Sequence, residues 1–275
     1  MYNIMTIDLE EWFHANYHED VFNTKKNYEV RVLDNTYRLL AHFNENNVKA
    51  TFFVLGYIAI KHRQLILDIQ NAGHEIASHG TSHSLVYEQS KKEFKEDIYK
   101  SKILLEDIVC KPIKGYRAPS WSITNKSLWA LEVLQELGFI YDSSIFPFEN
   151  FLYGIKDAPR FIYKPSINNK EGLLYEIPPS TYNIFGKTIG FSGGFFLRAI
   201  PYPIIKKFTE KINNLEQKPV IFYLHPREID KNQPRLKLKY FEYLIHYLNI
   251  SSCEKKFSKI VDSIKLTSIE EFYDL

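Results

Sequence analysis

The chain has 275 residues, 45% hydrophobic and 25% charged, enough to bury the core of one large α/β domain or two small ones. Its formal net charge of +2 comes from basic and acidic residues scattered along the chain, which excludes the basic footprint of a nucleic-acid binder. Two cysteines, Cys110 and Cys253, are too few for a disulfide framework and fit a reducing compartment.

The first residues run straight into an apolar strand pattern, Asn3 to Asp8, with no basic leader ahead of it. No apolar stretch approaches the roughly 20 residues needed to cross a bilayer. The expectation is a cytoplasmic protein without a transmembrane segment, with the inner face of the membrane as the alternative. Side chains alternate along a strand, so Asp8 and Glu10 point one way and Leu9 and Glu11 the other. Two carboxylates on one face can divide two jobs, one binding a metal ion and the other remaining free as a base, although acidic residues at strand ends are also common in solvated turns. His14 and His18 follow closely and could line the same mouth.

Helical periodicity spans Val30 to Asn44, a strand pattern Lys49 to Leu55, a second helix Lys61 to Asn71, and a strand His74 to Ser78, with Gly73 at the left-handed position beyond the second helix. His79 and His83 are four residues apart, which on one helical turn places both imidazoles on one side, suited to two ligands of one ion. Ordinary loop or helix packing is the alternative. The pair is not a zinc-protease motif, because Gly80 stands where that motif has its base; Asp8 is the natural supplier. His74 is read as structural.

A third helix is expected over Lys91 to Val109, a strand over Gly115 to Arg117, and a fourth helix over Asn125 to Leu137 with Asn125 as N-cap and Gly138 beyond its end. Pro119 holds Ala118 extended just after Arg117, whose guanidinium can grip a carboxylate through two parallel hydrogen bonds. Pairing with Asp8 would orient that base. Trp121 is a pocket wall, a sugar-stacking platform or a core indole. Strands follow at Ile140 to Ser143 and Leu173 to Ile177. Seven of the twelve prolines fall between Phe146 and Pro203, so this aromatic-rich stretch reads as an irregular insertion near the carboxyl ends of the strands. The last strand, Pro219 to Leu224, delivers His225, an imidazole placed either to donate a proton or to be satisfied in the core. The alternation of strands and helices indicates a largely parallel sheet.

The motifs Asp8-Leu-Glu-Glu-Trp-Phe-His14, Ala50-Thr-Phe-Phe-Val54, Glu75-Ile-Ala-Ser-His-Gly80, Leu85-Val-Tyr-Glu-Gln89, Tyr141-Asp-Ser-Ser-Ile-Phe-Pro147, His225-Pro-Arg-Glu-Ile-Asp230 and Gln233-Pro-Arg235 are similar to those of a known family. Over most of its length the chain resembles the polysaccharide deacetylases of carbohydrate esterase family four, the NodB homology fold, and within them a bacterial subgroup associated with exopolysaccharide biosynthesis. The resemblance implies an α/β fold, a distorted (β/α) barrel. It would form a single catalytic domain over 1–275, with 146–203 as the insertion and 230–275 as a C-terminal helical extension, and its site at the carboxyl ends of the strands. It implies Asp8 as catalytic base, Arg117 as its brace and His225 as catalytic acid with Leu224 in its apolar wall. The metal ligands would be Glu10, one position beyond the usual aspartate, with His79 and His83, and Gly80 replaces the usual small hydroxyl residue. Trp121, Leu224 and Asp142 are the substrate-side candidates, and Asp142 is also the substitute for the acid that tunes the catalytic histidine.

The activity so implied is metal-dependent removal of an N-acetyl group from an amino sugar in a glycan or a nucleotide- or lipid-linked precursor. Zinc is the default ion, with iron, cobalt or nickel also suited. The alternatives are an O-acetyl or N-formyl hydrolase, a metal-independent amidohydrolase related to allantoinases, or a non-catalytic carbohydrate-binding protein.

Overall fold

Seven consecutive buried residues, Asn3–Leu9, form β1, the strand around which the rest is arranged. The computed structural model describes residues 1–14, 16, 28–148, 150, 153–167 and 170–275. After β1 come α1 (Val32–Glu45), β2 (Thr51–Val54), α2 (Gly56–Lys61), α3 (Arg63–Asn71), β3 (Glu75–Ser78), α4 (Lys91–Val109), β4 (Gly115–Tyr116), α5 (Trp129–Glu136) and β5 (Tyr141–Asp142). Then follow β6 (Ser166–Ile167), β7 (Lys170–Glu171), β8 (Tyr175–Glu176), β9 (Thr181–Ile184), β10 (Lys187–Gly190), α6 (Gly194–Ala199) and α7 (Tyr202–Lys211). The described chain closes with β11 (Ile221–Leu224), α8 (Tyr240–Tyr247), α9 (Ile250–Ser263), β12 (Leu266–Thr267) and α10 (Ile269–Tyr273).

The main sheet is parallel, in the order β11-β1-β2-β3-β4-β5-β8, with β12 also pairing β1. All seven expected strands are present in it. Helices cover the sheet: Leu39 and Phe43 of α1, Leu65 and Ile69 of α3, Phe94, Ile98 and Leu105 of α4, and Phe257 and Ile260 of α9 share one core with Ile7, Leu9, Phe52 and Phe222. Parallel strands bring all their carboxyl ends to one rim, which is where chemistry gathers in (β/α) barrels.

Local punctuation explains where the elements differ from expectation. The first helix starts at Val32, not Val30, because the Glu11 carboxylate accepts the backbone N–H groups of Arg31 and Val32 and so occupies the helix N-terminus. The second expected helix begins at Arg63, not Lys61, because Lys61 ends a separate short helix, α2, which was not expected, and His62 divides the two. Asn125 is not an N-cap: α5 begins at Trp129, and Ser127 organises the turn before it by accepting from Thr124 N–H and donating to the Ser122 carbonyl. Gly73 and Gly138 do take positive φ, +83° and +77°.

Residues 146–203 hold two small antiparallel pairs, β6 with β7 and β9 with β10, and also supply β8 to the edge of the main sheet. Residues 230–275 are mainly helical and contribute β12 to the sheet.

Candidate metal centre and active site

The end of β1 presents two carboxylates to one cavity. Asp8 and Glu10 both line it, Leu9 between them enters the hydrophobic core, and Glu11 turns away to cap α1. Asp8 and Glu10 are buried, so each depends on protein partners for its charge.

His79 leaves the end of β3 and His83 follows on a loop, not on a helical turn as expected from their spacing. The loop reverses through two left-handed residues, Gly80 at φ +76° and His83 at φ +57°. Asp97 of α4 braces it: Oδ2 accepts Thr81 N–H at 2.8 Å, Oδ1 accepts the Ser82 hydroxyl at 2.9 Å, and the Asp97 carbonyl accepts the Thr81 hydroxyl at 2.7 Å. His79 Nδ1 lies 2.7 Å from the Arg117 carbonyl, which can only accept; the ring therefore donates from Nδ1 and leaves Nε2 as a lone-pair donor. The ligand atoms of Glu10, His79 and His83 all lie within 4.8 Å of one another, and His83 Nε2 is 2.5 Å from Glu10 Oε2. Two imidazole nitrogens and one carboxylate oxygen on a fixed scaffold are a donor set that fits a divalent ion with open positions.

Arg117, fully buried, reaches Asp8 from the end of β4, across β2 and β3 of the sheet. Its Nη1 donates to Asp8 Oδ1 at 2.7 Å and to Thr6 Oγ1 at 2.8 Å, while Nε and Nη2 bond the carbonyl and hydroxyl of Ser143. The grip on Asp8 is thus one hydrogen bond rather than the expected two, because the remaining donors anchor the guanidinium to β1 and the end of β5. Phe53 stacks under it at 4.0 Å. Beyond Ala118, which is extended as Pro119 requires, Ser120 and Trp121 both sit at positive φ, 51° and 48°. Such backbone is costly for residues with side chains and clusters at ligand sites. Trp121 lines the cavity, packs on Phe146 and Tyr223, and its buried indole N–H has no hydrogen-bond partner among the described residues.

His225 faces the carboxylates from the end of β11, its Nε2 3.8 Å from Asp8 Oδ2 and 3.7 Å from Glu10 Oε1. Its other nitrogen is held by Glu228, whose Oε2 is 3.1 Å from Nδ1; Glu228 Oε1 in turn accepts from Arg198 Nε at 2.7 Å. Asp142 does not fill this role. It is wholly buried beside Glu176 on β8, with Ser144 donating to it; burial raises both carboxyls above the usual carboxylate range, and the contact between them raises Glu176 further while lowering Asp142. Leu224 likewise belongs to the core, and its neighbour Tyr223 lines the cavity in its place. His14 does line the mouth, its ring 5.5 Å from that of His83. His18 lies outside the described residues.

Burial alone would raise the Glu10 carboxyl, but His83, His225 and His79 outweigh it and hold it down to about 2. Burial lowers His79 to about 4 against the upward pull of Asp8, so the ring is neutral and its lone pair available. Burial pulls His225 down too, yet Glu10, Glu228 and Asp8 together carry it above its ordinary value. Glu228 is driven below its usual range despite burial, chiefly by its bonds to His225 and Arg198. One cavity therefore holds two histidines shifted in opposite directions by their environments, His79 down and His225 up.

The cavity measures about 330 Å³ and is walled by aromatics, Phe148, Tyr153, Phe195 and Phe196 from the 146–203 stretch facing Trp121 and Tyr223. A larger hollow of about 460 Å³, beside His74 and Glu75 at the amino ends of the strands, contains none of these converging residues. Glu228, Asp97 and Tyr223 are the site residues that sequence reasoning missed; Glu228 alone had a legible signal, a Glu three residues after the residue preceding a short helical turn, placed to reach back.

Residues 26–141 match the family described as polysaccharide deacetylase, and residues 143–274 match a domain of unknown function (DUF3473). A peptidoglycan deacetylase of Helicobacter pylori is 31% identical over 156 residues, covering 53% of this chain and 52% of that protein, so the alignment spans about half the relative's length. Among solved structures, a probable polysaccharide deacetylase from Pseudomonas aeruginosa PAO1 superposes with TM-score 0.58 at 15% identity, covering 96% of this chain and 86% of that one. Puue allantoinase does so with TM-score 0.59 at 15% identity, covering 96% and 85%. These likenesses establish the fold, a curled, parallel, distorted (β/α) barrel of the NodB type, and the fold hosts more than one chemistry.

Proposed function

We infer that this chain, whose residues 26–141 match the polysaccharide deacetylase family, is a metal-dependent amidohydrolase that removes the N-acetyl group from an amino sugar in a glycan or glycan precursor. The observation that carries the reading is the convergence of Glu10, His79 and His83 beside the Asp8–His225 pair in one aromatic-walled cavity. The three ligands would hold a divalent ion, zinc by default and iron, cobalt or nickel as other fits; when bound, it supplies Lewis acidity and a more acidic water. Asp8, fixed by Arg117, takes the proton of the attacking water. His225, fixed by Glu228, returns a proton to the departing nitrogen, so that acetate and a free amine leave. The aromatic walls exclude bulk water, and Trp121 has an indole N–H to offer a substrate oxygen. The motifs Asp8 to His14 and His225 to Asp230 support extending the reading to the exopolysaccharide-associated subgroup.

The test is acetate release from N-acetylglucosamine oligomers by the zinc-loaded protein. Asp8→Asn and His225→Ala should each lower kcat by about 10²- to 10⁴-fold, the range of a lost acid or base, with circular dichroism unchanged. His79→Ala should abolish both zinc binding and activity. Full acetate release by the His79 variant would sink the metal-dependent reading.

A further inference from the structure

Helix α8 has the composition of a buried helix but only half the burial. Six of its eight residues, Tyr240, Phe241, Tyr243, Leu244, Ile245 and Tyr247, are aromatic or aliphatic, so it is apolar on nearly every side. His246 and Tyr247 are buried, whereas Tyr240 and Phe241 stand adjacent and 74% and 76% exposed, with Tyr243 40% exposed beside them. Neighbouring aromatics left this open are unlike the singly scattered apolar residues of ordinary surfaces.

The approach to the helix is charged in one sense. Lys231, Arg235, Lys237 and Lys239 are exposed, and Leu236 and Leu238 alternate with them, turned partly inward. Leu236 packs on the Trp12 and Phe13 cluster, and the Arg235 guanidinium lies over the Tyr247 ring at 4.2 Å. Glu242 accepts the Lys239 N–H and Asp230 is buried against Arg31 and Asn35, so the stretch from Arg235 to Tyr243 carries three cations to one anion. Exposed aromatics directly following a cationic stretch match the two layers of an anionic bilayer surface, rings at the headgroup boundary and lysines against the lipid phosphates.

We propose that Arg235 to Tyr243 is a docking surface for anionic lipid bilayers. Ile245, two residues beyond Tyr243, lines the site cavity, so a docked molecule would hold its cavity mouth close to the headgroups, where an amino sugar carried on a lipid would lie. That bearing on substrate rests on the deacetylase reading; the surface itself does not.

The experiment is cosedimentation of the full chain with vesicles of equimolar phosphatidylcholine and phosphatidylglycerol, against vesicles of phosphatidylcholine alone, with light scattering of the free protein in parallel. The protein should pellet with the anionic vesicles. Lys237→Gln combined with Lys239→Gln should weaken partitioning about fivefold per cation removed. Tyr240→Ser combined with Phe241→Ser should lose vesicle binding while keeping its melting temperature and its acetate release from soluble oligomers. The proposal fails if the wild-type protein ignores anionic vesicles, or if the aromatic variant binds as well as wild type. A dimer that the aromatic variant dissolves, without vesicle binding, would also overturn it and assign the face to self-association.

Discussion

Glu228 divides its two carboxylate oxygens between two cations, His225 on one side and Arg198 on the other, and is wholly buried in doing so. Glu228→Gln keeps the shape but removes the charge that balances Arg198, whose remaining partners are the carbonyls of Ile245 and Leu248. Leaving that guanidinium unpaired should cost about 3–5 kcal/mol of stability, read as a fall in melting temperature. Below that temperature kcat should fall while KM changes little, because His225 loses its orienting partner and not a substrate contact. A Glu228→Gln protein with unaltered kcat would remove this residue from the site. Glu228 shows why a residue's place in the sequence only partly reveals its role. His225 was legible because an apolar strand delivers it to the rim, but its partner was sought at Asp142, which a strand register commits instead to Glu176.

At the scale of elements, the loop from β3 is where spacing misled. Four residues between histidines suggested a helical turn, yet the same convergence is reached by a loop that two left-handed residues fold back and Asp97 ties down. A side chain at Gly80 would have to adopt φ +76° and would place its Cβ 3.0 Å from Asp97 Oδ2. Gly80→Ser should therefore destabilise the fold by about 1–2 kcal/mol and, through the displaced brace, weaken zinc binding about 10- to 100-fold. Urea unfolding and a zinc titration measure the two effects; a variant matching wild type in both would show that the loop tolerates a Cβ. The departure from the hydroxyl residue expected here thus has a local cause in the placement of Asp97, which no pattern in residues 79–83 announces.

For the whole molecule, the main-sheet strands and their parallel sense were legible because each strand is a short apolar run and the helices between have their own period; their order in the sheet was not. The positions of β6, β7, β9 and β10 were not, since these short segments carry polar residues (Ser166, Lys170, Glu171, Asn183, Lys187) inside a proline-rich stretch and form no apolar run. Stability should carry a mark of the core as well. His74 accepts the Ala50 N–H, and burial, aided by Lys49, lowers its pKa from 6.5 to about 4. A base with a depressed folded-state pKa stabilises the fold above the unfolded value and loses that contribution as pH falls, here between pH 6.5 and about 4, amounting to about 3 kcal/mol. Chemical denaturation across this window should show a shallower loss for His74→Gln than for wild type; equal slopes would mean that His74 charges without cost.

β1 is bonded along one edge by β11 and along the other by β2 and β12, strands drawn from near both ends of the described chain. Asp8 lies next to the end of the very strand whose backbone is the last to fray, and Glu10 follows directly after its last residue, Leu9. The two carboxylates cannot drift apart through local breathing, so inactivation by heat and collapse of the sheet are a single cooperative event.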